Sequence, residues 1–386
     1  MAGTQVDVVP QPGRGRVSAQ LRRRPAVGLP AVIAVQGAAL AVLGGLDGSP
    51  GWRAARVLAV IVLVTGVILL IWGAAALVRA MPGWWRLLAV PVALALLWFV
   101  LVPLTVAVHI TNRPSGPLGR ATPAVYGLSY REVAFRTADG VRLSAWYIPP
   151  RNGAAVMLLP GAGSARTAVL GQAAVLARHG YGTLLADTRG HGRSGGHAMD
   201  FGWQGGRDIA AAVSFLARQP GVRPGKIAVV GESMGGEQAL AAMATDPRIR
   251  AVVAEGATGQ QPADHGWLPH GVNGALQRGM EWVQYTAAGL LSGAPRPMSL
   301  PDSIRAAAPR PVLIIAGAAK PDEPIAARWF QAASPTTVHV WVVPHAGHTQ
   351  GLATAPQAWE THVINFLNAA LHPATMAAGQ RAGNDG

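Results

Sequence analysis

Apolar residues in the last two thirds of the chain form short continuous runs separated by stretches with helical spacing, such as residues 207–218. The runs are residues 155–159, 227–230, 251–254 and 311–317. Strands buried on both faces of a parallel sheet have this pattern. Upstream, residues 131–137 and 141–147 instead alternate polar with apolar side chains around Ala138-Asp139-Gly140, which predicts a hairpin. The pattern therefore predicts an α/β domain.

Three longer apolar segments precede this domain, at residues 26–46, 57–77 and 87–109. Each is as long as the ~20 residues that cross a bilayer, and the last two contain no Asp, Glu, Lys or Arg. The first contains Pro30 and Gln36, so two transmembrane helices remain an alternative to three. A cleavable signal peptide is disfavoured because the segments are long and repeated. We expect a multi-pass protein of the plasma membrane.

The positive charge of the chain is concentrated around these segments. The net charge is +14, and residues 1–120 hold 11 arginines against Asp7 and Asp47, which gives +9 and leaves +5 for the remainder. Nucleic-acid binding is disfavoured, because it would require a basic stripe on the folded domain. The dense arginines before the first span indicate the cytoplasmic side. Three spans would then place the folded domain outside the cytoplasm, as we expect, whereas two would keep it inside.

A candidate nucleophile lies where one apolar run gives way to a helical stretch. Residues 231–235 read Gly-Glu-Ser-Met-Gly, which is the G-x-S-x-G pattern in a strand, turn and helix context. Glycines flank the serine because the turn is strained and crowded. The pattern predicts that Ser233 is a nucleophile.

A base and an acid for this serine can be sought in chain order. His348 follows the β-type run that begins at Val338, and it is the predicted general base, with His345 as the competitor. The loop after residues 311–317 contains Asp322 and Glu323. Asp322 is the predicted acid and Glu323 the alternative, because either carboxylate could orient the imidazole. Another carboxylate, Glu255, ends an earlier run and is interpreted as structural.

An oxyanion hole is expected from two backbone amides. The Met234 N–H follows the nucleophile, and Ala162 lies in the glycine-rich stretch after residues 155–159. A dinucleotide-binding loop is disfavoured there, because the third glycine of that fingerprint is missing. The sequence gives no zinc-ligand spacing and contains no cysteine, so we expect neither a metal nor a cofactor.

Four segments of the chain occur in the order typical of one superfamily. Residues 187–194 resemble its D-x-R-G-H-G-x-S segment, and G-E-S-M-G-G, P-V-L-I-I-A-G and G-H-T-x-G-L accompany them. Between Tyr130 and Leu371 the chain thus resembles the α/β-hydrolases, most closely their serine esterase, lipase and dienelactone-hydrolase-like branches. The resemblance implies an eight-stranded, mostly parallel sheet with helices on both faces. The chain departs from the family at Pro160, where a histidine is usual, and in its longer acid loop.

These observations divide the chain and define its expected function. The predicted regions are a basic tail (1–25), a membrane region (26–112), a linker (113–129), a hydrolase domain (130–372) and a disordered tail (373–386). An apolar and aromatic insertion at about 259–308 suggests a lid or acyl pocket, with an ordinary helical insertion as the alternative. We expect a membrane-anchored serine hydrolase acting on a small or lipid-like acyl ester. Thioester or amide cleavage, and an inactive scaffold with a hydrolase fold, are the alternatives.

Overall fold

The computed structural model describes residues 83–112 and 118–372, with isolated positions between 65 and 79. Eight strands form one sheet in the order β1-β2-β4-β3-β5-β6-β7-β8. The strands are β1 (Arg131–Arg136), β2 (Arg142–Ile148), β3 (Ala155–Leu159), β4 (Gly182–Asp187), β5 (Ile227–Glu232), β6 (Ile249–Glu255), β7 (Val312–Gly317) and β8 (Val338–Val343).

The α-helices of the described residues connect and cover these strands. They are α1 (Trp85–Asn112), α2 (Leu170–Arg178), α3 (Gly205–Ala217), α4 (Met234–Thr245), α5 (Val272–Ser292), α6 (Leu300–Ala307), α7 (Asp322–Ala333), α8 (Gly351–Thr354) and α9 (Pro356–Leu371). Short 3-10 helices occupy Pro123–Tyr126, Arg166–Val169, Asp200–Gly202 and Pro262–His265.

The predicted hairpin and parallel sheet are both present. β1 pairs with β2 in antiparallel register, with Arg131 opposite Tyr147. β2 also runs antiparallel to β4, and β3 to β8 pair in parallel. The mostly parallel, eight-stranded sheet implied by the sequence resemblance is therefore confirmed.

The core lies on both faces of this sheet because successive strand side chains point in opposite directions. On β3, Met157 and Leu159 join the cluster that includes α3, α4 and α6, whereas Val156 and Leu158 join the cluster that includes α2 and α9. The central strands β3 and β5 are buried along their whole length. Burial on both faces explains why their sequences are continuous apolar runs rather than alternating ones.

The insertion predicted at 259–308 contains two helices with different roles. α6 packs against α4 and α7, and its Leu300 and Ile304 join the apolar cluster on that side of the sheet. α5 instead packs along α1, and a separate apolar cluster forms between them around Ala107, Tyr285 and Ala288. We refer to these two helices as the α1–α5 pair.

The predicted membrane spans differ in what the structure covers. Residues 26–46 lie outside the described residues, and residues 57–77 are described only at isolated positions, whereas residues 87–109 fall within α1. In the described part of the chain, no helix combines the length and the apolar character needed to cross a bilayer. Membrane attachment is therefore still only a prediction from sequence.

Candidate active site

Ser233 lies in a tight turn between β5 and α4. Its backbone has φ 50° and ψ −121°, a conformation that L-residues rarely adopt and that persists only where the surroundings enforce it. A Cβ on Gly231 would lie 2.3 Å from the Gly235 carbonyl carbon, and one on Gly235 would lie 2.6 Å from the Pro160 oxygen. The two glycines therefore allow the turn to close and raise Ser233 at the carboxyl end of β5.

His348 lies in the loop after β8, beside the loop that holds the backbone of Ser233. The Ser233 N–H donates a hydrogen bond of 2.7 Å to the Glu255 carbonyl oxygen. The next residue, Gly256, has φ +69°, and a Cβ there would lie 3.0 Å from Cε1 of the His348 ring. The imidazole thus packs against the backbone one residue beyond the carbonyl that anchors the serine. The competing His345 is exposed, with φ 62°.

The carboxylate that reaches His348 belongs to Glu323. Its Oε1 lies 2.7 Å from His348 Nδ1, and its Oε2 accepts a hydrogen bond of 2.7 Å from the Gly317 N–H. Glu323 is buried, whereas the His348 side chain is 44% exposed. A carboxylate can only accept, so Nδ1 carries the proton and Nε2 is left as a base. The hydrogen bond that His348 donates to Glu323 raises the pKa of His348 above its usual value, although partial burial opposes the shift.

Helix phase explains why the preferred acid, Asp322, does not make this contact. α7 begins at Asp322, and the buried residues of the helix are Glu323, Ala326, Ala327 and Phe330. Asp322 is exposed on the side that carries Ile325 and Trp329, at helical spacings of three and seven residues. The apolar periodicity of residues 326–330 is the signal in the sequence that favours Glu323, because a helix extended back to residue 322 places Glu323 on the same face as Ala326, Ala327 and Phe330.

The glycine-rich stretch after β3 lies against the nucleophile. A Cβ on Gly161 would lie 3.3 Å from the Cβ of Ser233, and the Ser164 N–H closes the turn on the Gly161 carbonyl at 3.2 Å. We call residues 161–164 the oxyanion loop. Its Ala162 is exposed, whereas Met234 is buried and contributes the first N–H of α4, which has no acceptor within the helix. Met234 thus follows Ser233 directly in the chain, and Ala162 follows Gly161, the glycine that lies against Ser233, while their roles as donors stay predictions.

Two buried carboxyl groups near the nucleophile were not predicted as parts of the site. Burial raises the pKa of Glu237 to about 7, although the Thr258 and Gly259 amides donate to its Oε1 at 3.1 and 2.9 Å. Burial and the nearby charge of Glu255 raise the pKa of Glu232 to about 8. Nothing in the local sequence marks either residue, because their burial arises from segments distant in the chain.

Glu255 and Asp187 hold the loops of the site in place. Glu255 accepts hydrogen bonds from the Gly351 N–H at 2.7 Å and from Nε1 of Trp359 at 3.0 Å, which anchors the chain just after His348. This contact agrees with the structural role predicted for Glu255. Asp187 is fully buried and accepts from the backbone amides of Arg166 and Arg193 at 2.8 and 2.9 Å. The segment at 187–194 therefore supports the chain that follows the oxyanion loop.

Comparisons with known proteins identify similar sequences and similar folds. The family model described as serine aminopeptidase, S33, matches residues 150–307. Among curated proteins, the chain is 35% identical over 130 residues to thiohydrolase aneE of Aspergillus aculeatus, covering 32% of this chain and 41% of that protein. It is 36% identical over 132 residues to polyketide transferase ATR5 of Stachybotrys chlorohalonatus, covering 33% and 44%. The matched region thus spans less than half the length of these relatives.

Among solved structures, an esterase of Pyrococcus furiosus superposes with a TM-score of 0.56 and 25% identity, covering 68% of this chain and 98% of the esterase. The α/β-hydrolase GrgF from Penicillium superposes with a TM-score of 0.50 at 20% identity, which is a likeness of fold. The sheet order, the elbow at Ser233 and these similarities support the α/β-hydrolase superfamily for the described residues. They support a role as a hydrolase.

Proposed function

We propose that this protein is a serine hydrolase that cleaves a carboxylic ester through an acyl-enzyme intermediate. Ser233 is the nucleophile, His348 the general base, and Glu323 the acid that orients the imidazole. The observation that carries the proposal is the 2.7 Å hydrogen bond between Glu323 and His348 Nδ1, held beside the strained elbow of Ser233. A buried carboxylate that orients an imidazole, which in turn takes the proton of a serine, is the arrangement that activates a hydroxyl for acyl transfer.

Each group then has a defined part in the reaction. His348 Nε2 takes the proton from Ser233 as its Oγ attacks the carbonyl carbon, and Glu323 stabilises the imidazolium that forms. The Ala162 and Met234 amides hold the negative charge that develops on the carbonyl oxygen. His348 then protonates the leaving alcohol. Water, activated by the same imidazole, releases the acid and restores Ser233. These steps require no cofactor.

Thioesters and amides are alternative substrates for the same groups. The similarity to a protein named thiohydrolase favours a thioester, and the description of the matched family favours a peptide. An ester remains our first proposal because the esterase of Pyrococcus furiosus shares the largest part of the fold among the structures compared above. Competition between p-nitrophenyl acetate and acyl-thioester or aminoacyl-amide substrates would rank the three. A preference for the amide by kcat/KM would overturn the ester assignment.

We also infer that residues 1–112 attach the enzyme to a membrane. The apolar segments at 26–46 and 57–77 and the arginine-rich tail support this inference. Exposed apolar side chains on the α1–α5 pair are consistent with it, because helices in water turn such residues inward. These side chains are Leu87, Leu94 and Trp98 on α1, and Val272, Leu276 and Leu290 on α5. Recovery of the full chain in the soluble fraction without detergent would contradict membrane attachment.

Labelling by a fluorophosphonate probe tests the catalytic proposal directly. The full chain should label and hydrolyse p-nitrophenyl acetate, and Ser233→Ala should abolish labelling and reduce turnover by about 10⁵-fold or more. Ser214→Ala is the matched control, because that hydroxyl donates to the Ala210 carbonyl on α3. It should label as well as the parent. If probes of several sizes failed to label the parent protein, the result would instead favour an inactive scaffold with a hydrolase fold.

A further inference from the structure

The side chain of Met199, which lies outside the oxyanion loop, accepts a hydrogen bond from the backbone of that loop. The Gly163 N–H donates to Sδ of Met199 at 3.0 Å. Gly163 has φ +71° and its Cα faces open space, so the loop has no side chain of its own at this position. Met199 is 6% exposed and lies 36 residues further along the chain. The thioether is a weak acceptor, but here it is fixed by burial.

The backbone that follows Met199 is strained. Asp200 and Phe201 have φ of 48° and 52°, which costs non-glycine residues free energy and persists only where neighbouring contacts enforce it. Three hydrogen bonds hold the segment. The Gly202 N–H donates to the Met199 carbonyl at 2.8 Å, the Trp203 N–H to the Asp200 carbonyl at 3.0 Å, and Trp203 Nε1 to the Gln260 carbonyl at 2.9 Å. We call residues 199–203 the methionine turn.

The α1–α5 pair packs against this turn. The centroid of the Phe201 ring lies 4.8 Å from the centroid of the Tyr285 ring on α5, and the centroid of the Trp203 ring lies 6.4 Å from it. Ala107 of α1 belongs to the same apolar cluster. The pair therefore contacts Phe201 and Trp203, which follow Met199 in the same turn, and the Met199 sulfur contacts the oxyanion loop.

We propose that Met199 is a positioning residue for the oxyanion hole, connecting the loop to the α1–α5 pair. This rests on the function proposed above. The Gly163 amide belongs to the peptide plane adjoining Ala162, so a fixed Gly163 N–H limits how far the Ala162 N–H can turn away from the oxyanion. Donors of an oxyanion hole act through preorganisation, so a loop that fluctuates more should slow the chemical step with little effect on substrate binding.

Three variants of the full chain in detergent test the role of the sulfur. Met199→Leu keeps an apolar side chain but removes the acceptor, and Met199→Gln restores an acceptor on an unbranched chain of similar length. Met243→Leu is the matched control, since Met243 is a buried methionine of the core on α4. With p-nitrophenyl acetate, we expect Met199→Leu to lower kcat by about 10-fold to 100-fold and to change KM by less than about twofold. The expected loss is smaller than the fall in kcat of about 10²-fold to 10³-fold that follows removal of a whole oxyanion donor, because the Ala162 N–H is still present. Met199→Gln should recover most of this loss, and Met243→Leu should match the parent.

The results separate the proposal from the function on which it rests. A parent protein whose hydrolysis depends on Ser233 establishes the function first. If Met199→Leu then keeps the kcat of the parent, or if Leu and Gln reduce it equally, the sulfur does not position the loop. Hydrogen–deuterium exchange of peptides covering residues 161–164 provides a test that needs no turnover. Exchange there should be slow in the parent and faster in Met199→Leu, and rapid exchange in the parent would overturn the proposal even if the protein is not a hydrolase.

Discussion

The loops after β5 and β7 each bring one part of the candidate triad to the same edge of the sheet, but their constraints act over different distances. The turn at Ser233 is shaped by its immediate neighbours, since Gly231 and Gly235 approach each other within one turn of the chain, and the Glu255 carbonyl adds one distant anchor. Glu323 is fixed by partners at Gly317 and at His348, the latter 25 residues away. The first loop is therefore a local steric motif, whereas the second depends on how a helix docks on the sheet.

This difference also determines how each loop should respond to substitution. A local motif has no space to relax, so a single added methyl group should disrupt the fold around it. A docked helix tolerates changes on its exposed side but not on the face that carries the functional group. The two loops can thus be distinguished by whether a substitution damages folding or only turnover.

The largest effect is expected from Gly231→Ala. The added Cβ would lie 2.3 Å from backbone atoms of Gly235, so the elbow cannot form without displacing α4. We expect a loss of about 3 kcal/mol or more in the free energy of unfolding, together with loss of probe labelling. The measurements are denaturant unfolding and fluorophosphonate labelling of the purified variant.

Gly206→Ala is the control for this substitution. Gly206 lies on α3 with no atom within 4 Å of the added Cβ. Alanine there should be neutral or stabilise the helix by up to about 1 kcal/mol. If Gly231→Ala folded and labelled like Gly206→Ala, the steric account of the elbow would be wrong.

A smaller effect, confined to turnover, is expected in the acid loop. Glu323→Gln should lower kcat by about 10³-fold to 10⁴-fold while the protein stays folded, because an amide does not hold the imidazole in its active tautomer. Asp322→Asn should change kcat less than about threefold, since Asp322 lies on the exposed side of α7. Steady-state kinetics with p-nitrophenyl acetate would measure both. If Asp322→Asn lost most of its turnover while Glu323→Gln kept the kcat of the parent, Asp322 rather than Glu323 would be the acid.

The smallest effect is a pH shift that tests the electrostatic link between Glu237, on the helix after the Ser233 loop, and His348, the partner of Glu323. His348 must be neutral to act as a base, so kcat/KM should rise with pH through its pKa, which lies above the usual histidine value chiefly because of the hydrogen bond that His348 donates to Glu323. The charge of Glu237, on the helix that follows Ser233, contributes in the same direction. Removing that charge favours the neutral imidazole, so Glu237→Gln should move the acidic limb to lower pH.

The control for this shift is another buried carboxyl group. Burial raises the pKa of Glu281 on α5 to about 7, as it does for Glu237, but Glu281 is not among the groups that shift the pKa of His348. Glu281→Gln should therefore leave the acidic limb in place. An acidic limb that moved equally in both variants, or moved to higher pH in Glu237→Gln, would contradict the electrostatic link between Glu237 and His348.

Features that depend on neighbouring residues could be predicted from the amino-acid pattern alone. The strands, the hairpin and the Ser233 elbow follow from apolar runs, from alternation and from glycines around one serine, because these patterns express local backbone geometry. The His348 loop and the oxyanion loop were found by their positions after strands of a parallel sheet. All five features could be predicted without knowing which distant segments touch.

Only the tertiary structure decided which carboxylate reaches the histidine and what supports the oxyanion loop. The choice of Glu323 over Asp322 depends on the rotation of α7 about its axis, which packing on the sheet sets. The contact between Met199 and Gly163 joins residues 36 positions apart, and it requires a strained turn that α5 and α1 hold in place. The physical reason is the same in both cases: a hydrogen bond between distant residues exists only after the elements that carry them have packed.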